Sequence, residues 1–190
     1  ADERPVVWCV GDSVAYQLCK GLDDVGFGAS WTLVNHGAGS DTTLSGIPRL
    51  IDLLLSEPTP DLVVVQYGSG DFVSGSIMGL PGFTPEEVYE RLRVVEAILT
   101  WFSADMVWTT TPVRALGGSG YPDIDAYLRD HFVLNRLIDR ISMRTPPSQF
   151  VDFAHPHRRW IQEKLAPRLG KEVARRLHDR GFSKTAAGYR

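Results

Sequence analysis

The chain has 190 residues, 43% of them hydrophobic and 23% charged, with a formal net charge of -3. That length and apolar content suit one globular domain over residues 1–190 with a full core. Lys and Arg mix with Asp and Glu except in the last forty residues, so no basic face argues for a nucleic-acid partner. No apolar stretch approaches the roughly 18 residues of a membrane span, and the charged start Ala1-Asp2-Glu3-Arg4 is unlike a secretion signal. We expect a cytoplasmic protein, a cleaved leader aside, that meets a small-molecule substrate and no membrane. A protein partner or a homo-oligomer is compatible with the same composition. The two cysteines, Cys9 in an apolar run and Cys19 in the following helix pattern, read as buried free thiols.

Short runs rich in Val, Trp and Phe alternate with longer helical patterns. Pro5 to Val10, Trp31 to Asn35, Leu62 to Tyr67, Met106 to Thr110 and Phe150 to Phe153 have the character of buried parallel strands. Helix patterns occupy Val14 to Asp24, Leu44 to Leu55, Pro85 to Phe102, Tyr127 to Met143 and Ile161 to Leu177. Thr84 before Pro85-Glu86-Glu87 carries a capping hydroxyl, a proline at the first helical position and acids in the first turn. Five strand-then-helix units predict an α/β fold, a three-layer α/β/α sandwich around a five-stranded parallel sheet.

In such sheets ligands bind where loops leave the carboxyl ends of the strands, near the point where strand order reverses. The loops in question are Gly11-Asp12-Ser13, His36 to Thr42, Gly68-Ser69-Gly70-Asp71 and Thr111 to Arg114, each rich in small and polar residues. They predict a site holding Asp12, Ser13, His36, Ser40, Asp41 and Asp71, with backbone N–H groups freed at helix starts.

Those loops resemble, in order, the sequence blocks of the SGNH or GDSL hydrolases, a family of esterases, lipases, thioesterases and carbohydrate deacetylases with a flavodoxin-like fold. Val10-Gly11-Asp12-Ser13 is similar to the first block, and Asn35-x-Gly37-x-x-Ser40-Asp41-Thr42 to the second. Asp61 to Asp71 resembles the third, Thr111-Pro112-Val113 the loop after the fourth strand, and Lys184 to Arg190 the end of the last block. The resemblance implies Ser13 as nucleophile and Asp12 as a brace for neighbouring loops. It places Ser40 where the family carries a glycine whose N–H helps bind the oxyanion, and Gly70 where the family carries an asparagine donor.

A lost oxyanion donor is worth roughly 3 kcal/mol of transition-state stabilisation in other hydrolases. Counting back from Gly188-Tyr189 sets Ser183 at the family's histidine and Arg180 at its aspartate, which leaves Ser13 without a base. On that alignment the chain is a divergent member lacking both the block III asparagine and the block V histidine. The catalytic candidates are then Ser13, Asp12, His36 and Asp71, with Ser40, Gly70, Asp41 and Ser183 around the oxyanion or substrate. The segment Asp152-Phe153-Ala154-His155-Pro156-His157 holds two histidines and an aspartate in six residues, but spacing alone does not make a metal site, and neither a metal nor a cofactor is expected.

Three functions follow from these residues. The first is acid/base chemistry on a small carbonyl or acyl compound, such as dehydration, isomerisation or cyclisation of a biosynthetic intermediate. The second is a GDSL-type esterase or thioesterase in which a displaced base serves Ser13. The third is a catalytically dead module that binds a ligand or partner.

Overall fold

The computed structural model describes residues 4–73, 80–112, 140–152 and 154–182. Four strands, β1 (Val6–Gly11), β2 (Thr32–Gly37), β3 (Leu62–Gln66) and β4 (Asp105–Trp108), form one parallel sheet in the order β2-β1-β3-β4. The chain begins in the middle of the sheet, steps to one edge and then crosses to the other side of β1, so strand order reverses at the carboxyl end of β1. That end is Gly11, one residue before Asp12 and two before Ser13.

Strand side chains alternate between two apolar layers. Val7, Cys9, Leu62, Val64 and Val107 face a cluster built with α1 (Ser13–Asp24) and the C-terminal helices. Trp8, Val10, Val63, Val65, Met106 and Trp108 face α2 (Thr43–Ser56) and α3 (Pro85–Trp101) on the other side. Burial on both faces explains why the strands read as unbroken apolar runs. At the start of α3 the Thr84 hydroxyl accepts the Glu87 N–H while the Glu87 carboxylate accepts the Thr84 N–H, the reciprocal cap that the sequence announces. Cys9 and Cys19 are buried free thiols.

Two expected elements differ. Of the strand expected over Phe150 to Phe153, residues 150–152 are not a strand, Phe150 making a single antiparallel bridge to Pro156, and residue 153 lies outside the described residues. The chain that lies beside β4 is instead Ile141, which bridges Thr109 in parallel, giving its N–H to Trp108 O at 2.8 Å and accepting the Thr110 N–H at 3.0 Å. Among the described residues this single bridge takes the place of the expected fifth strand. Of the helix expected over 127–143, residues 127–139 lie outside the described residues, and 140–143 are not helical. The helix expected over 161–177 begins earlier: a turn, α4 (Arg158–Trp160), runs through a π-helical stretch (Ile161–Leu165) into α5 (Ala166–Asp179). Arg158 holds the Asp24 carboxylate through its Nε and Nη2 groups, fastening the start of this helical run to the end of α1. No helix among the described residues is long and apolar enough to cross a membrane.

Candidate active site

β1 ends at Gly11 with φ 144, and a Cβ there would stand 1.6 Å from Gln66 O on β3, so only glycine lets the chain turn this close to its neighbour. Asp12 follows in extended geometry as the N-cap of α1, its Oδ1 accepting the Val14 N–H at 2.9 Å. Ser13 is therefore the first helical residue and not the cap. Its N–H has no intrahelical acceptor, and its side chain is left without capping duty.

That side chain meets a partner 142 positions away. Ser13 Oγ lies 2.7 Å from His155 Nε2, and His155 Nδ1 lies 2.8 Å from Asp152 Oδ2. The carboxylate can only accept, so Nδ1 carries the ring proton and Nε2 offers its lone pair to the serine hydroxyl. Asp152 also shapes the turn that presents it. Its Oδ1 accepts the Ala154 and His155 N–H groups, both at 2.7 Å, leaving Oδ2 for the ring. Backbone bonds from Val151 N–H to His155 O and from His157 N–H to Gln149 O close the base of this loop. Partial burial works against the Asp152 charge, but those two N–H donors and the imidazole hold its carboxyl below the usual carboxylate range.

The expectation that Ser13 lacks a base is overturned by this geometry. Asp152 and His155 have an Asp-x-x-His spacing and lie well before the place reached by counting back from Gly188. Ser183 lies outside the described residues, and Arg180 instead donates to Asp61 O at the far end of β3. Among the described residues no group of three His, Cys, Asp or Glu side chains is arranged to hold a metal ion.

The other candidates have different work. His36 sits on the α2 side of the sheet, its ring edge-on to Trp8 with centroids 4.7 Å apart and its Nε2 3.3 Å from Glu57 Oε2. Ser13 and α1 pack on the opposite face, so His36 is no base for Ser13. Burial holds its imidazole below the ordinary value against the pull of Glu57. Asp71 is fully buried, and it accepts the Thr43 N–H on both oxygens and the Thr43 hydroxyl on Oδ1, with Arg91 Nη2 3.7 Å away; it secures the start of α2. Asp12 braces, as the resemblance implies: its Oδ2 accepts the Gly70 N–H at 3.0 Å. Burial pushes the Asp12 carboxyl up to about 7, although its N–H donors favour the ionised form.

Gly70 supplies no oxyanion donor from its own backbone, since Asp12 takes its N–H. A Cβ at 70 would lie 1.8 Å from Asp41 O, so an asparagine does not fit the turn as it stands. Ser40 does adopt the left-handed conformation, with φ 60, in a turn closed by Asp41 N–H to Ala38 O. Its N–H has no acceptor among the described residues. Asp41 faces away from the reacting atoms toward Arg49 and Ser45. Phe72, after Asp71, is buried, and Phe83 packs under the Arg91 guanidinium. A cavity of about 270 Å³ runs along α1, lined by Tyr16, Gln17, Lys20 and Asp24 with Val151 and Arg158 opposite; Ser13, Asp152 and His155 are not among the residues that line it.

Comparisons with known proteins agree with the fold. No family model matches the chain. An arylesterase of Vibrio mimicus is 29% identical over 160 residues, covering 77% of this chain and 74% of the relative. The crystal structure of the acetyl xylan esterase AlAXEase superposes with a TM-score of 0.68 at 17% identity, covering 88% of this chain and 98% of that one. TesA superposes with a TM-score of 0.59 at 22% identity, covering 86% and 97%. With the Gly-Asp-Ser corner at the switch point of a 2-1-3-4 parallel sheet and these likenesses together, the chain has the fold of the SGNH hydrolases and resembles the SGNH/GDSL family in sequence.

Proposed function

We propose that the protein is a serine esterase that hydrolyses small acyl esters through a Ser13–His155–Asp152 triad, the second of the three functions considered from sequence. The observation that carries the reading is the unbroken line of hydrogen bonds from Ser13 Oγ to His155 Nε2 and from His155 Nδ1 to Asp152 Oδ2. A dehydratase or isomerase built on Asp12, His36 and Asp71 is not favoured, because those three groups are committed to Val14 and Gly70, to Glu57 and Trp8, and to Thr43. A purely binding module has no need of an imidazole aligned on both sides.

The chemistry follows from the donor and acceptor roles. Ser13 Oγ attacks the acyl carbon while its proton passes to His155 Nε2, and the imidazolium that forms is stabilised by the Asp152 carboxylate. The carbonyl oxygen becomes an oxyanion facing the Ser13 N–H at the start of α1 and the Ser40 N–H in its left-handed turn. Collapse breaks the ester C–O bond, and the departing alcohol takes the proton from Nε2. Water then attacks the acyl-serine, again giving its proton to Nε2. The acid leaves and Ser13 regains its hydroxyl.

The name of the Vibrio mimicus relative supports an aryl ester of a small acid as the substrate class. Turnover of p-nitrophenyl acetate by the wild type, Ser13→Ala and His155→Ala tests the reading. Both variants should lose at least about a thousandfold in kcat. Wild-type turnover in either one contradicts it.

A further inference from the structure

We infer that Arg49 is a positioning residue for ester hydrolysis: from α2 it holds the turn that presents the Ser40 N–H against the corner that carries Ser13. The inference rests on the esterase reading above and adds a residue that the family resemblance does not supply. Arg49 Nη1 donates to His36 O at 2.6 Å, Nη2 donates to Gly11 O at 3.2 Å, and Nε and Nη2 both donate to Asp41 Oδ2. One planar guanidinium thus joins the carboxyl end of β1, the carboxyl end of β2 and the residue after Ser40. A lysine, with a single ammonium centre, cannot span three such acceptors at once.

The rest of the turn is fastened around the same points. Ala38 N–H donates to Gly11 O at 3.0 Å, so Gly11 O receives both the turn and the guanidinium. Asp41 is buried, and its Oδ1 accepts the Ser45 hydroxyl and the Thr42 N–H, so its position is passed from Arg49 to the start of α2. Between Ala38 and Asp41 the backbone is held at its ends only, and Ser40 sits within it at φ 60, a conformation that a non-glycine residue keeps only when its surroundings impose it.

The reason this matters for rate is the glycine at 70. With no asparagine amide there, stabilisation of the oxyanion falls on backbone N–H groups of two separate loops, and their relative placement decides its strength. Arg49 touches neither substrate nor Ser13. Its effect is expected in kcat and not in KM, because the oxyanion exists only in the transition state.

The test is steady-state hydrolysis of p-nitrophenyl acetate by Arg49→Met, Arg49→Lys, Asp41→Asn and the Arg49→Met/Asp41→Asn pair, each measured well below its unfolding midpoint. Arg49→Met should lower kcat by about a hundredfold with KM within about threefold of wild type, the Lys variant should fall between, and the pair should lose no more than the worse single variant. A folded Arg49→Met enzyme with wild-type kcat, or a loss confined to KM, overturns the inference. Should the Met variant not fold, Arg49→Lys decides, with a loss of about tenfold in kcat expected and an unchanged kcat contradicting. Ser13→Ala in the same assay separates the two levels: its full activity would refute the esterase reading, whereas its inactivity beside normal Arg49 variants refutes the role of Arg49 alone.

Discussion

Asp12 Oδ2 accepts the Gly70 N–H at 3.0 Å while Asp12 Oδ1 accepts the Val14 N–H at 2.9 Å. The residue before the nucleophile therefore spans two loops, capping α1 with one oxygen and pinning the turn after β3 with the other. Ser13 inherits its place from both. The arrangement separates roles that the tripeptide Gly11-Asp12-Ser13 leaves combined: glycine for the close turn, aspartate for the cap, serine for chemistry.

The buried Asp12 carboxyl has a consequence for stability. Its ordinary value is 3.8 and burial raises it to about 7 in the folded chain. Folding is thus linked to proton uptake at this group. Its contribution is complete below about pH 4 and is lost as pH rises to about 7, with a slope of at most ~1.4 kcal/mol per pH unit. Asp12→Asn removes the titration and turns one acceptor toward an N–H as a donor, destabilising by about 1–3 kcal/mol. Urea unfolding at several pH values should show the stability advantage of wild type over Asp12→Asn shrinking between pH 4 and 7. An advantage that grows with pH contradicts the assignment.

Restoring the family's asparagine should harm the enzyme. A Cβ at position 70 meets Asp41 O at 1.8 Å, so Gly70→Asn must push the third-block turn away from Asp41 and strain the Gly70 N–H bond to Asp12. We expect a loss of about 1–3 kcal/mol in stability and a lower kcat/KM. Thermal unfolding and aryl acetate hydrolysis check this together; faster turnover with an unchanged midpoint would contradict it.

Asp152→Asn should lower kcat by about a hundredfold to ten thousandfold, since an amide at the Oδ2 position no longer fixes the Nδ1–H tautomer. The lower part of that range is expected because the carboxylate is half-exposed, with 43% of its side chain accessible. The turn itself should survive, as Asn can still accept the Ala154 and His155 N–H groups through its carbonyl oxygen. Kinetics beside a circular dichroism melt distinguish the two; loss of folding with no specific loss of kcat would contradict a role in orienting the ring.

His36→Gln should leave kcat within about threefold of wild type, because the imidazole faces Trp8 and Glu57 across the sheet from Ser13. A thousandfold loss in the same ester assay would return His36 to the reacting centre.

Much of this was legible in the residues. Val7 to Val10, Leu62 to Val65 and Met106 to Trp108 are buried, and their continuous apolar character marks them as inner strands of a parallel sheet. Thr84-Pro85-Glu86-Glu87 marks the start of α3 with equal clarity. The Gly11, Ser40 and Gly68 loops, in chain order, carry the resemblance to the SGNH/GDSL hydrolases. The partners proposed for Ser13 are harder to read from sequence, although Asp152-Phe153-Ala154-His155 carries an Asp-x-x-His spacing. Counting back from Gly188-Tyr189 misses this spacing because a helical run, Arg158 to Asp179, lies between the two segments. The same spacing suits a metal pair, and only the Asp152 Oδ1 turn, which aims Oδ2 at the ring, distinguishes the two. The cap presents a similar case: Asp and Ser are both good caps, and the structure uses Asp12, whose Oδ1 accepts the Val14 N–H while its Oδ2 accepts the Gly70 N–H 58 positions away.

The most direct measurement of the central claim is the intact mass of the protein after brief exposure to a fluorophosphonate, followed by peptide mapping. Wild type should gain one phosphonyl group rapidly and stoichiometrically at Ser13, and His155→Ala should gain it at least about a thousandfold more slowly. Absent labelling of the wild type, or equal rates in the two proteins, would contradict a serine activated by His155.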